Sequence, residues 1–140
     1  MNERLVVDAS VAYKWLIPEP LTPEAMRLLN GGYVMCAPDF ILAGIYNFLG
    51  RKVARGELTS DEARALKIIL DGHPLTLKPY AALVDDAFDL ALTYKRAVYD
   101  CLYLALALSE KCRLITADEK FVNGLKGSPL ESTTLWLGDI

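Results

Sequence analysis

Apolar positions alternate along this chain between short continuous runs and longer stripes at helical spacing. The run 4–7 closes on Asp8 and is too short for a helix, so it reads as a buried strand, with a helix following over about 10–17. Pro18 and Pro20 stop that helix. Thr22 and Pro23 start another, because a hydroxyl can cap free amides and a proline at the first helical position has no amide to leave unpaired. Gly31 and Gly32 close it.

A second strand is predicted over 33–37, after which Pro38 and the N-cap Asp39 open a helix. Its stripe is Phe40, Ile41, Ile45, Phe48 and Leu49, and it ends near Gly56. Thr59 and Glu62 have capping-box spacing before a helix closed by Gly72. A brief strand over 75–77 precedes a helix running from Pro79 to Leu92. A break near Val98 then leads to a strongly apolar helix from about Asp100. Strands over 113–117 and 133–137 complete the chain.

Short apolar strands separated by helices require crossover connections, so the expected fold class is α/β: a three-layer α/β/α domain around a mainly parallel sheet. With 140 residues, 53% of them hydrophobic, and no linker or repeat, the chain reads as a single domain spanning 1–140. The apolar run 101–108 is far shorter than the ~20 residues that cross a bilayer, so no membrane association is expected. Glu3, Arg4, Asp8 and Lys14 make a poor signal peptide. Cys36, Cys101 and Cys112 lie far apart among apolar neighbours, as reduced thiols do, so a cytoplasmic location is expected. A net charge of −3 gives no overall drive toward nucleic acid, so any such binding has to be local.

In parallel sheets ligands bind beyond the carboxyl ends of the strands. Asp8 and Asp118 each end a predicted strand, and Asp100 stands on the first turn of the apolar helix, where the helix dipole favours an anion. Each alone is better explained as an N-cap. Gathered at one crevice the three would repel unless a cation compensated them, and hard oxygen ligands select Mg²⁺ or Mn²⁺. Such an ion can activate a water for phosphodiester cleavage. Ser10 and Thr116, two residues from Asp8 and Asp118, are supporting candidates through their hydroxyls, or else local caps.

The only histidine, His73, lies in a Gly-His-Pro turn and reads as exposed loop. Asp85, Asp86 and Asp89 read as a solvated helix face. Arg51, Lys52 and Arg55 form the best basic patch, with Arg51 and Arg55 on one helix face that could contact phosphate, although a solvated helix end is the commoner explanation. Lys95 and Arg96 admit RNA contact or simple helix termination. The absence of GxxxxGK[ST] and GxGxxG sequences removes nucleotide-binding folds of those kinds. A receiver-like signalling domain also gathers acids around Mg²⁺, but without a Tyr-Asp opening an apolar helix.

Val6-Val7-Asp8-Ala9-Ser10, Ala37-Pro38 before a helix with Asn47, Tyr99-Asp100-Cys101-Leu102-Tyr103-Leu104-Ala105, and Leu114-Ile115-Thr116-Ala117-Asp118 with Phe121 together resemble the PIN-domain ribonucleases. Within that family they are similar to the small VapC-like toxins of toxin–antitoxin pairs. The resemblance implies a Mg²⁺- or Mn²⁺-dependent endoribonuclease acting on RNA, with Asp8, Asp100 and Asp118 as catalytic and metal-binding acids. It also implies a homodimer and a cognate antitoxin protein. The family's further acid, a Glu three residues before the position of Asn47, is Gly44 here.

Glycine inside a helix costs about 0.5–1 kcal/mol relative to alanine. Either a neighbouring backbone approaches Gly44 closely, with Gly50 on the same helix, or the site has lost an acid and binds its cation more weakly. Asp39 precedes Gly44 by more than one helical turn and is a poor substitute. The alternative function is therefore a catalytically inactive PIN module that binds RNA or a protein partner.

Overall fold

The computed structural model describes residues 2–140. Strands β1 (Arg4–Val7), β2 (Val34–Pro38), β3 (Leu75–Lys78), β4 (Arg113–Thr116) and β5 (Thr134–Trp136) form one parallel sheet in the order β3-β2-β1-β4-β5. They are connected by α1 (Ala9–Leu16), α2 (Thr22–Asn30), α3 (Ile41–Ala54), α4 (Ser60–Asp71), α5 (Val84–Tyr94), α6 (Val98–Glu110) and α7 (Glu119–Gly124). The chain steps from β1 outward to β2 and β3, then returns to the other side of β1 for β4 and β5. Because parallel crossovers are right-handed, that reversal places α1 to α4 on one face and α5 to α7 on the other. The result is the three-layer α/β/α arrangement expected from the sequence.

One hydrophobic core joins the layers. Helix α6 lies against β1, β2 and β4, with α5 packed on it. Cys101 through Ala107 are all buried, which explains why α6 is apolar all round rather than striped. Cys36 and Cys101 are buried and Cys112 half-buried, all as free thiols, and burial pushes the Cys36 thiol up to about 11. Among the described residues no helix is long and apolar enough to cross a membrane.

Several local expectations are corrected. Thr22 is the first residue of α2 rather than its cap, and its hydroxyl accepts a hydrogen bond from the Glu19 amide at 2.9 Å. Asp39 is not an N-cap either: its carboxylate accepts from the Tyr80 amide at 3.0 Å, tying the end of β2 to the turn after β3. The segment after Pro79 is a short 3₁₀ turn before α5 rather than one helix. Helix α6 begins at Val98, so Asp100 lies inside its first turn. The capping box at Thr59 and Glu62 forms as expected, with bonds of 2.8 and 3.1 Å.

His73 is not an exposed loop residue. Its ring meets Trp15 edge-on at 5.6 Å, and its Nε2 is buried with no hydrogen-bond partner among the described residues. Desolvation therefore holds its pKa below the usual 6.5. The unfolded chain takes up this proton more readily than the folded one, so the contribution of neutral His73 is complete above about pH 6.5 and is lost as pH falls through the depressed folded value. Urea unfolding of His73→Phe between pH 5 and 8 should show a shallower acid-side loss than the native chain, and identical slopes would contradict this. Leu104, fully buried at the centre of α6, should cost about 2–5 kcal/mol on Leu104→Ala in the same assay.

Candidate active site

The order in which strands are added reverses between β1 and β4, and such switch points leave a crevice at the carboxyl ends of the strands. The pairing of Val7 with Ile115 brings the next residues, Asp8 and Thr116, level with each other across that crevice. Asp8 has extended backbone and caps α1, its Oδ1 accepting from the Val11 amide at 3.2 Å and from Ser10 Oγ at 2.5 Å. Its Oδ2 accepts from Thr116 Oγ1, also at 2.5 Å. Ser10 Oγ in turn accepts from the Ala117 amide and Thr116 Oγ1 from the Asp118 amide, both at 3.1 Å. The capping role and the oriented carboxylate are thus one arrangement: the bonds that start α1 also fix both oxygens of Asp8. Burial raises its pKa, the hydroxyl and amide donors oppose that rise, and Asp100 adds to it.

Asp100 keeps a solvent-exposed side, yet the atoms crowding it and then the charge of Asp118 raise its pKa, against the pull of Arg96. Asp118 caps α7 by accepting from the Phe121 amide at 3.1 Å. The charge of Asp118 thus bears on Asp100, and that of Asp100, more weakly than burial, on Asp8. Arg96 is lodged at this edge, its guanidinium 5.5 Å from the Phe121 ring. It lies so close to α7 that a Cβ at position 124 would fall 1.6 Å from Nη2, so Gly124 makes room for the arginine.

The helix α3 meets α1 beside Asp8. A Cβ added at Gly44 would lie 3.8 Å from Ala9 Cβ and 3.9 Å from Tyr13 Oη, ordinary contacts, and one at Gly50 would meet nothing within 4 Å. Close backbone approach is thus not the reason for Gly44, and its packing does not require glycine. Tyr13 Oη donates to the Gly44 carbonyl at 3.4 Å, and the Tyr13 ring stacks on Phe48 at 4.0 Å. Burial and the nearby charge of Asp8 raise the Tyr13 pKa, while Arg51 lowers it. Tyr103, on α6, is buried within the electrostatic reach of Asp8, Tyr13 and Asp100.

Tyr13, Arg96 and Tyr103 were not foreseen as site residues. Arg96 reads in the sequence, with Lys95, as an RNA contact or a helix end, not as a neighbour of the acids. Tyr103 enters the sequence reading only within the motif around Asp100, and Tyr13 carries no signal of its own.

Three aspartates and two hydroxyls offer hard oxygen donors, the chemistry that suits Mg²⁺ or Mn²⁺. Among the described residues, no three His, Cys, Asp or Glu side chains already converge as a ready ligand set. A cation held here by fewer than three of these carboxylates would have to keep much of its own water.

The sequence profile of the PIN domain matches residues 5–124. The chain is 34% identical over 119 residues to a ribonuclease VapC3 of Pyrobaculum aerophilum, covering 84% of this chain and 91% of that protein. Three solved structures share the fold. PAE2754 of Pyrobaculum aerophilum has a TM-score of 0.69 at 20% identity, covering 99% of this chain and 94% of its own. VapC20 of Mycobacterium tuberculosis, a Sarcin-Ricin loop cleaving toxin, has a TM-score of 0.66 at 16% identity, covering 85% and 93%. A toxin–antitoxin complex from Klebsiella pneumoniae has a TM-score of 0.65 at 16% identity, covering 94% and 95%. With the profile spanning most of the chain and a near full-length relative above 30% identity, this chain belongs to the PIN-domain family, in its VapC-like ribonuclease group.

Proposed function

We propose that this chain is a divalent-metal-dependent endoribonuclease of the VapC toxin type, with Asp8, Asp100 and Asp118 holding one Mg²⁺ or Mn²⁺. The observation that carries the proposal is Asp8 held at both carboxylate oxygens by Ser10 and Thr116 at the carboxyl ends of β1 and β4, with Thr116 also bonded to the amide of Asp118. A cation bound there would supply an activated water and offset charge on the cleaved phosphodiester. Ser10 and Thr116 hold Asp8 with both oxygens aimed, so no reorientation is needed when RNA arrives. Tyr13, bonded to the Gly44 carbonyl, and the buried Tyr103 lie on the Asp8 side of the site.

Gly44 qualifies this activity. A Cβ here would make only ordinary contacts with Ala9 and Tyr13, and glycine leaves the cluster without a carboxylate from α3, so cation affinity and cleavage are both reduced. The second reading, an inactive PIN module that binds RNA or protein, rests on this same position. A VapC-type chain also implies a homodimer and an antitoxin partner. The apolar groove between α3 and α4, lined by Tyr46, Leu49, Val53 and Ala63, supports a protein contact, as do Ile68 and Ile69, exposed on α4.

Cleavage of labelled RNA in Mn²⁺ should be abolished by EDTA and fall at least about a hundredfold in Asp100→Asn, since loss of even an outer partner of a metal ligand costs roughly 10–100-fold. Persistent cleavage by Asp100→Asn refutes the metal reading. Thr116→Val, which frees one oxygen of Asp8, should lower Mn²⁺ affinity by about 10–100-fold with the fold retained on circular dichroism. Calorimetry on Gly44→Glu should show Mn²⁺ binding at least roughly tenfold tighter, and unchanged affinity would remove the account of Gly44.

A further inference from the structure

Trp136 closes β5, the last strand of the sheet, and lies beyond residues 5–124, the stretch that the PIN-domain profile matches. Its neighbour Leu137 is fully buried, whereas Trp136 itself is half-buried, so core packing does not account for the indole. The register that pairs Thr116 with Trp136 sets this ring beside the end of β4. From there Trp136 Nε1 donates to the Ala117 carbonyl at 3.3 Å. The opposite edge of the ring is seated against Gly138, where a Cβ would fall 2.4 Å from both Cη2 and Cζ3. The indole is therefore wedged, its benzo edge on the glycine and its N–H on the carbonyl.

The bonded carbonyl belongs to the peptide unit whose N–H is that of Asp118, and this N–H donates to Thr116 Oγ1 at 3.1 Å. A peptide unit is planar and stiff, so gripping its oxygen and its N–H from two different side chains fixes the plane. The plane in turn sets the direction in which the Asp118 side chain leaves the backbone. Ala117 has its own amide on Ser10 Oγ at 3.1 Å, so side chains hold the turn from Thr116 to Asp118 just past the end of β4. Thr116 Oγ1 accepts from the Asp118 amide and so keeps its own proton for Asp8 Oδ2. Rotation of the 117–118 peptide would remove that donor and free the hydroxyl that aims Asp8.

We infer that Trp136 is a positioning residue for the metal site: its N–H orients Asp118 through the Ala117–Asp118 peptide, and Gly138 keeps the ring where it can do so. Trp136 touches no reacting group. The inference rests on the metal-dependent nuclease reading and adds to it a residue outside the acids and their hydroxyls. A partly buried indole N–H needs an acceptor, and the ring is too large to move without displacing its neighbours. At 3.3 Å the bond is already at the long end of the usual range, so a small further displacement of the ring ends it. That is why the glycine matters: any side chain at 138 would push the indole from the edge opposite its N–H.

The test is amide hydrogen exchange of the full chain in EDTA, followed by NMR, together with Mn²⁺ binding by calorimetry. Two variants are compared with the native chain: Trp136→Phe, which keeps a ring and loses the donor, and Gly138→Ala, which keeps the donor and pushes the ring. Both should speed exchange of the Asp118 amide about two- to tenfold, one hydrogen bond's worth, while the amides of Val6 and Leu104 exchange at their native rates. Both should also weaken Mn²⁺ binding about two- to tenfold. Acceleration spread evenly over the core amides would mark Trp136 as packing alone and overturn the proposal. An Asp118 amide that exchanges at the native rate in both variants overturns it too, as does native Mn²⁺ affinity in both. The expected exchange pattern in a protein whose native form binds no Mn²⁺ upholds the hold on Asp118 and defeats the metal reading instead.

Discussion

The bond from Thr116 to Asp8 across the gap between β1 and β4 is the contact on which the site depends. Two strands more than one hundred residues apart in sequence lie side by side because the sheet is filled outward from β1 in both directions, and their carboxyl ends diverge there. Thr116 is fully buried, so its hydroxyl needs a partner, and Asp8 is a desolvated carboxylate that needs donors. Each satisfies the other. The amides of Ala117 and Asp118 extend the bonding to the acid after β4, so the end of one strand sets the geometry of the next.

Stability and chemistry pull against each other in this crevice. Burial and mutual repulsion disfavour ionised Asp8 and Asp100, a cost the fold accepts where function needs concentrated charge. Arg96 relieves part of it from the outer edge, held in place by the missing side chain of Gly124. At Gly44, where a Cβ would meet only ordinary contacts, the chain carries no side chain at all.

Much of this was legible in the sequence because the signals were local. The run 4–7 ending in Asp8, the Thr59 and Glu62 capping pair, and the apolar residues 101–107 each determine an element through near neighbours, and alternation of strands with helices then dictates the parallel sheet. What stayed hidden depends on tertiary contact. Asp39 spends its carboxylate on Tyr80, forty-one residues away, and Thr22 turns its hydroxyl to Glu19, so both looked like caps. Lys95 and Lys111 end α5 and α6 in the left-handed conformation that usually announces itself as glycine or asparagine. His73 appeared solvated because its turn is polar in sequence, while Trp15 arrives from α1 to cover it. Of the site, the acids and hydroxyls could be named from spacing, but the tyrosines could not, since a ring on an apolar face looks alike whether it meets core or crevice.

The central claim is that aspartates from three distant segments share a single divalent ion. It is tested most directly by carboxyl-detected NMR of ¹³C-labelled protein during titration with paramagnetic Mn²⁺. The account predicts that the side-chain carboxyl signals of Asp8, Asp100 and Asp118 broaden together at the lowest ion concentrations, before those of Asp85, Asp86 and Asp89. Broadening that begins at the α5 acids, or that leaves any one of the three untouched after the other two have vanished, would contradict it.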